Sequence, residues 1–432
     1  MQIFNKKVKE IFTKLPKILF PLNRSLTGKG NLQTLLYIKK YVHNLNIIKF
    51  KTGKKIYDWK IPYEWGVKNA YILHVKTNKK FAEFKKNNLH LVSYSEPKSE
   101  IISKKKLLKK INTIKLKPNL IPYVTSYYKR DWGFCLKHND INKLPNGDYK
   151  VVIDSFFKKG NLILGESIIK GKSKKEFFFS TNICHPSMAN NELSGILMCT
   201  ALANFIKNKK NTRYTYRIIF VPETIGSLAY IHKNLKLLKK NVIGGLVVSC
   251  VGDNKSYSHI ESPEGNNFSD KMLEVALKNK KNHKRYSFLN RGSDERQYCS
   301  PKVNLPICGL SRTKYHEYFE YHTSGDNLNT LSLKGMNETF KTLSEMIDII
   351  EYGLYPQSKN YGEPHLSKYG LYRTLATESI KKDTKNLLNF IAYANGNLSS
   401  FEIAIKCSID LTTTLKIIRI LKDNKLIFFK DK

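Results

Sequence analysis

The stretch Glu176-Phe177-Phe178-Phe179-Ser180-Thr181-Asn182-Ile183-Cys184-His185-Pro186-Ser187-Met188-Ala189-Asn190-Asn191-Glu192-Leu193-Ser194-Gly195 decides how the rest of this chain is read. It opens as a short apolar run of the length of a buried strand and ends on a histidine where a polar loop begins. A small residue and a glycine then introduce a second apolar run, Ile196 to Ile206, at helical spacing. Strand, polar loop and helix in that order are the unit of an open α/β sheet, where ligands lie just beyond the carboxyl ends of the strands. His185, Asn191 and Glu192 stand at that edge.

The same alternation extends outward from about Asp148 to Tyr352. Strands are expected at Tyr149–Phe156, Glu176–Ile183, Tyr216–Val221 and Gly245–Cys250. Helices are expected at Leu193–Lys207, Ile225–Leu237, Asp270–Lys278 and Leu333–Glu351. Such a pattern predicts an α/β sheet wrapped by helices. Residues 1–50 read as two helices separated by Pro21 and the turn Arg24-Ser25-Leu26-Thr27-Gly28. From Lys54 to Pro122 short alternating runs, such as Ala70–Val75 and His90–Tyr94, predict a small β-rich insertion. Pro356 and Pro364 mark a linker. Beyond Lys382 come three helix-like pieces and a final strand, Leu426–Phe429, with Ser399 or Ser400 and Asp410 as helix caps. That order predicts a winged helix-turn-helix. The expected division is a discontinuous α/β domain over 1–53 and 123–355, an insertion over 54–122, and a linker with a winged helix over 356–432.

Hydrophobic content of 41% and aromatic content of 12% over 432 residues exclude a disordered chain. The net charge of +40 comes mainly from lysine and suits either phosphate neutralisation or a heavily solvated surface. The densest run, Lys104 to Lys110, fits an exposed helix face. Seven scattered cysteines without CxxC spacing favour a reducing compartment. Residues Met1 to Leu22 are broken by lysines and lack the core and cleavage site of a signal peptide. No run reaches the roughly 20 apolar residues that cross a bilayer. The expectation is a cytoplasmic protein with no membrane partner.

Four polar loops follow strand-like runs. They carry His185 with Asn191 and Glu192, then Glu223, then Asp253, and last Tyr321, His322 and Asp326. Singly each residue has a plain role: a hydrogen-bonded histidine, a helix-capping glutamate, a Gly-Asp turn, a loop-stabilising His–Asp pair. If the strands are parallel, all four loops share one rim. Two histidines with nearby acids can hold zinc at roughly 2.0–2.2 Å. Zinc acidifies water for attack on a carbonyl, and a non-ligating glutamate can move the proton to the leaving amine.

Further motifs join these: Arg24-Ser25-Leu26-Thr27-Gly28, Trp59-Lys60-Ile61-Pro62-Tyr63-Glu64-Trp65, Pro222-Glu223-Thr224-Ile225-Gly226-Ser227, and Gly292-Ser293-Asp294-Glu295-Arg296-Gln297-Tyr298-Cys299. With Cys184-His185-Pro186-Ser187 and Glu320 to Leu328, they make the chain resemble the DUF4910/DUF2172 aminopeptidase-like proteins. These are relatives of the M28-type zinc exopeptidases and carry a C-terminal winged helix. The resemblance spans nearly the whole chain. It implies a zinc-exopeptidase-like mixed sheet flanked by helices, with an inserted β domain. It also implies hydrolysis of a peptide or amide bond, in a peptide-like or surface-polysaccharide precursor. By the same resemblance His185 and His322 match metal-binding histidines, Glu223 the general base, and Asp253 falls near a further acidic ligand.

Two departures stand out. By the resemblance, Thr224 occupies the position of the peptidases' second acid, a feature the nearer relatives share, and Asn191 that of an aspartate bridging two metals, where those relatives read Asn-Asp-Asn. An amide is neutral and offers one good oxygen, so one zinc ion is expected rather than two. The metal set is then His185 and His322 with Asn191 or Asp253, or with a shifted Glu192. Asp294 and Asp326 are expected behind the ligands, and Arg24, Arg296 and Tyr321 around an anionic substrate. The alternative is a ligand-binding or regulatory protein that kept the fold and lost full metal coordination. Nucleic-acid binding is a third reading. It would rest on Thr412, Thr413, Lys416 and Arg419 of the expected recognition helix.

Overall fold

The structure, a computed structural model, describes residues 6–371 and 378–430, apart from the side chains of 378–382. Two sheets dominate. In chain order their strands are β1 (Asn46–Lys51), β2 (Glu64–His74), β3 (Lys79–Phe81), β4 (Lys98–Ser103), β5 (Asp148–Lys158), β6 (Asn161–Ile169), β7 (Glu176–Asn182), β8 (Thr215–Val221), β9 (Val242–Val248), β10 (Tyr257–Ile260), β11 (His283–Tyr286) and β12 (Ile307–Ser311). The main sheet has eight strands in the order β1-β6-β8-β7-β9-β12-β10-β11. Its centre is parallel, with β7 pairing β8 and β9, and β9 pairing β12.

Strand β7 shows why this sheet is central. Phe177 and Phe179 enter one hydrophobic cluster and Phe178 the other, so both faces of the strand are buried. A strand covered on both sides reads as a continuous apolar run. Helices α1 (Lys6–Thr13), α2 (Leu15–Leu19), α3 (Lys29–Ile38), α4 (Ser194–Lys207), α5 (Ile225–Asn241), α6 (Phe268–Leu277) and α7 (Leu333–Gly353) flank the main sheet. Residues of α4, α6 and α7 lie in the first cluster and those of α5 in the second.

The second sheet has the order β3-β2-β5-β4 and forms the insertion. Here the structure departs from the expected boundary at residue 122. Strand β5 was expected to open the α/β core, yet it pairs along its length with β2 and β4. Alternating burial marks β5 as half-exposed; alternation alone does not say which sheet a strand joins. The first 50 residues also hold more than two helices: α1 to α3 precede β1, which pairs antiparallel with β6 at the sheet edge.

The tail forms α8 (Glu378–Ala392), α9 (Ser400–Lys406) and α10 (Leu411–Asp423), then strand β14 (Ile427–Phe429), which pairs with β13 (Pro356–Ser358). Ser399 caps α9 in a capping box with Glu402, and Asp410 caps α10. Phe390, Phe401 and Ile418 belong to the same buried cluster as Phe340 of α7, so the winged helix is fused to the α/β core. On α10, Thr412 bonds Glu345 at 3.1 Å, Arg419 pairs with Asp348 at 3.0 Å and Lys416 pairs with Asp383 at 3.0 Å. Both cations expected to meet phosphates thus have carboxylate partners within the protein. No helix among the described residues is long and apolar enough to cross a membrane.

Candidate active site

The parallel strands β7, β8, β9 and β12 end on one edge of the main sheet, and the loops that follow them build the site. After β7 the chain makes a single π-helical turn, Ala189–Leu193, before entering α4. Asp326 pins this turn by accepting the Asn190 and Asn191 N–H groups at 2.6 and 2.9 Å. Tyr318 and Thr330 hydroxyls hold the same carboxylate at 2.9 and 3.0 Å. Gly195 lets α4 press on the strand ends, because a Cβ there would overlap Thr181 Oγ1 and the Val248 carbonyl oxygen.

Glu192 faces inward. Its Oε2 accepts the Cys184 and His185 N–H groups at 2.6 and 2.5 Å and lies 2.8 Å from His185 Nδ1. Its Oε1 takes Arg24 Nε at 2.8 Å. Burial would raise the Glu192 carboxyl, but His185 and Arg24 hold it below its ordinary value. Burial would lower His185, but Cys184 and Glu192 hold it well above. Cys184, His185 and Glu192 offer ligand atoms within 4.8 Å of one another. With the Glu192 oxygens already taken by Arg24 and three donors around residues 184–185, this trio acts as the support of His185. Histidine ligands are held this way through the nitrogen that does not face the metal. Arg24 was expected near a substrate anion; the structure instead buries it completely behind His185, where it also donates to the Leu19 carbonyl.

His185 Nε2 points toward Glu223 Oε2, 3.7 Å away. Glu223 follows β8, and its N–H meets Cys184 Sγ at 3.2 Å. Burial raises its carboxyl, and the nearby His185 and Arg296 act against that rise. Thr224 has φ 66°, the left-handed region that a β-branched residue rarely adopts. Its N–H donates to Asp294 Oδ1 at 2.8 Å, as does the Ser227 hydroxyl. Burial and the Glu223 charge push Asp294 up to about 7. Arg296 donates from Nη2 to Thr224 Oγ1 at 2.7 Å and stands 3.7 Å from Glu223 Oε1.

The last loop brings His322 across. Its ring centroid is 5.2 Å from that of His185 and stacks on Tyr321 at 3.9 Å. Burial, with His185, His316 and Lys117, lowers it to about 2, so the imidazole is neutral, the form that binds metal. Asn191 Nδ2 lies 3.4 Å from His322 Nε2, and Asn191 Oδ1 lies 3.6 Å from Cys250 Sγ. Ser187, Thr224, Cys250 and His322, all on these loops, have positive φ. Strained backbone of this kind gathers at functional sites.

Asp253 takes no part in this cluster. Its oxygens accept from Asn190 Nδ2, Lys255 N–H, and the Thr313 N–H and hydroxyl. Cys250, at the end of the same strand, is the residue that meets Asn191 instead. Nothing in the sequence marks Tyr123 either, yet its ring lies 5.3 Å from His185 and 5.2 Å from His322. A bridge between Pro122 and Thr323 carries it there from the insertion. Glu223, Thr224 and Arg296 open on a cavity of about 650 Å³ whose other wall holds Trp59, Tyr127 and Tyr128. A larger cavity, about 890 Å³, opens beside the winged helix among Lys172, Lys209, Lys210 and Lys422; it shares no residue with the histidine cluster.

A mixed sheet with this loop arrangement at its parallel edge, and a winged helix behind it, defines an aminopeptidase-like α/β protein. The chain belongs to the DUF4910 family (domain of unknown function), which its residues 13–353 match, and residues 354–428 match the winged helix-turn-helix family HTH_47. A Clostridium acetobutylicum protein, provisionally named a polysaccharide biosynthesis protein with an aminopeptidase-like domain, is 39% identical over 393 residues, 88% of this chain and 89% of its own. A crystal structure of a provisionally assigned peptidase from Clostridium acetobutylicum superposes with a TM-score of 0.89 at 35% identity, covering 98% of this chain and 97% of that one. The zinc aminopeptidase BSAP of Bacillus subtilis shares the fold alone, at TM-score 0.57 and 12% identity, over 79% of this chain and 94% of its own.

Proposed function

We propose that this protein hydrolyses a peptide or amide bond with one zinc ion. One observation carries the reading: Glu192 fixes His185 through Nδ1 and leaves Nε2 facing Glu223, beside a neutral His322. His185 and His322 would be the nitrogen donors of a single ion; Asn191, whose Nδ2 faces His322 Nε2 and whose Oδ1 faces Cys250 Sγ, would supply its oxygen once the amide turns over. A second ion lacks its acids, since Asn191 is a neutral amide and Thr224 Oγ1 is given to Arg296. Asp253, already saturated, is the weaker oxygen candidate. Zinc there would polarise the scissile carbonyl and acidify the attacking water. Glu223 takes the proton from that water and returns it to the leaving amine. Asp294 holds the strained Thr224 backbone, and so the aim of Glu223. Asp326 holds Asn191. The substrate is peptide-like or an amide-containing precursor of a surface polysaccharide, as the name of the Clostridium relative suggests. The seven cysteines are unpaired, which suits a cytoplasmic setting.

The missing acid at 191 favours a second reading, a ligand-binding or regulatory protein that has lost full metal coordination. Metal analysis separates the two. The hydrolase reading expects about one zinc per chain, following the single donor set, and its loss in His322→Ala. A protein that takes up no zinc under any loading condition is not this enzyme.

A further inference from the structure

The position that would hold a second metal-binding acid is Thr224, and its hydroxyl receives a guanidinium. Arg296 Nη2 reaches Thr224 Oγ1 at 2.7 Å, and Arg296 Nε is buried without a hydrogen-bond partner. At 3.7 Å from Glu223 Oε1 the guanidinium is too far for a hydrogen bond, so its Nη groups, and not the enclosed Nε, keep donors to offer to the cavity. Its side chain is 39% exposed and lines the cavity in front of Glu223. Among the described lining residues Glu223 is the one acid, against the cations Arg296 and Lys129. A free α-ammonium group would meet this guanidinium instead of a pair of carboxylates. On the opposite wall Trp59 and Tyr128 remain 40% and 46% exposed, with ring centroids 6.0 Å apart. Tyr128 is fixed there by its hydroxyl on the Lys60 carbonyl at 2.9 Å. Exposed, oriented aromatic rings beside a cavity are a surface for stacking another ring.

We propose that Arg296 receives an anionic group of the ligand. On the hydrolase reading, the substrate is then an amide carrying a carboxylate or phosphate beside the scissile bond and a ring on the Trp59–Tyr128 wall. A peptide with a free amino terminus is the wrong charge for this pocket. Guanidinium binds either anion through paired N–H donors, which lysine cannot reproduce.

Calorimetric titration of the full chain tests this without turnover. The probes are N-acetyl-phenylalanine (anionic), N-acetyl-phenylalaninamide (neutral) and phenylalaninamide (cationic). The anion is expected to bind about tenfold more tightly than the neutral analogue, as a charge-assisted pair implies, and the cation most weakly. Arg296→Gln should erase that difference, and Arg296→Lys should keep part of it. Circular dichroism checks that both variants fold. Phenyl phosphate against N-acetyl-phenylalanine decides between the two anions. Tightest binding of the cation, an unchanged preference in Arg296→Gln, or no binding of any probe overturns the proposal. If the preference stands but the zinc-loaded protein cleaves neither an acyl nor a peptide amide, the hydrolase reading fails and the anion site remains.

Discussion

Arg24 and Glu192 show how much of the site rests on residues that touch no substrate. Both side chains are fully buried and 2.8 Å apart, and Glu192 also fixes His185. Removing one partner of a buried pair leaves an uncompensated charge. Glu192→Gln is expected to lower stability by about 3–5 kcal/mol, measured by urea unfolding. It should also weaken zinc binding by about 10–100-fold, the usual effect of losing a ligand's supporting carboxylate, measured by competition with a chelator. Asn191→Asp puts an anionic oxygen between His322 and Cys250. Under the zinc reading it should raise zinc uptake above that of the parent chain, as metal analysis would show. The sequence offers Glu192 beside His185 and singles out Arg24 through its own motif, but has no means of pairing Arg24 with Glu192, 168 residues away. It lists Asp253 because of its position after a strand. Only the path of the loop shows that Cys250 faces Asn191 and Asp253 faces Thr313.

At the scale of elements, the turn from β7 into α4 and the capped start of α6 are the points where single changes act most directly. Gly195→Ala forces a methyl group against Thr181 and the Val248 backbone and should cost about 1–3 kcal/mol, an overpacking penalty, read from the denaturation midpoint. Asp270 completes the capping box of α6 and bonds buried His259 at 2.9 Å. Burial would raise its carboxyl, but hydrogen bonds from His259 and Ser262 hold it below the ordinary 3.8. A carboxyl lowered in the folded state stabilises above its unfolded pKa, and that stability is lost as pH falls through the folded value. The stability gap between the parent and Asp270→Asn should therefore be widest above about pH 4 and close below it, in thermal melts across that range. Strands β7, β8 and β9 were legible because both of their faces are buried and each carries a run of apolar residues, with Arg217 the one charge inside β8. Strand β5 was legible as a strand and misplaced as to sheet, since its half-exposed pattern suits either one.

Across the whole molecule the winged helix behaves as part of the core. Ile418 on α10 is fully buried against Gly353 at the end of α7. Ile418→Ala should cost about 2–5 kcal/mol and is expected to loosen the tail before the α/β core, seen as a second transition or as early proteolysis near residue 354. With Arg419 and Lys416 paired internally, duplex DNA binding should be weak, indifferent to sequence and steeply lost with salt. A salt titration with two unrelated duplexes checks this. A sequence-selective complex that survives physiological salt would restore the nucleic-acid reading.

By itself the sequence determined the alternation of strands and helices, the β-rich insertion, the winged helix, and the placing of His185, Glu223 and His322 on polar loops after strand-like runs. These are local properties: periodicity, capping residues and apolar runs act over a few neighbours. That the central strands are parallel came from the fold. Tertiary structure alone decided that Arg24 is a buried counter-ion, that Tyr123 comes in from the insertion, that Asp253 faces away and that Arg296 sits on Thr224. Each is a contact between segments far apart in the chain, fixed by how the loops close over the sheet edge. For the opening stretch, the sequence put His185 at the end of a strand; folding brought the carboxylate of Glu192 behind it and left its other nitrogen facing the site.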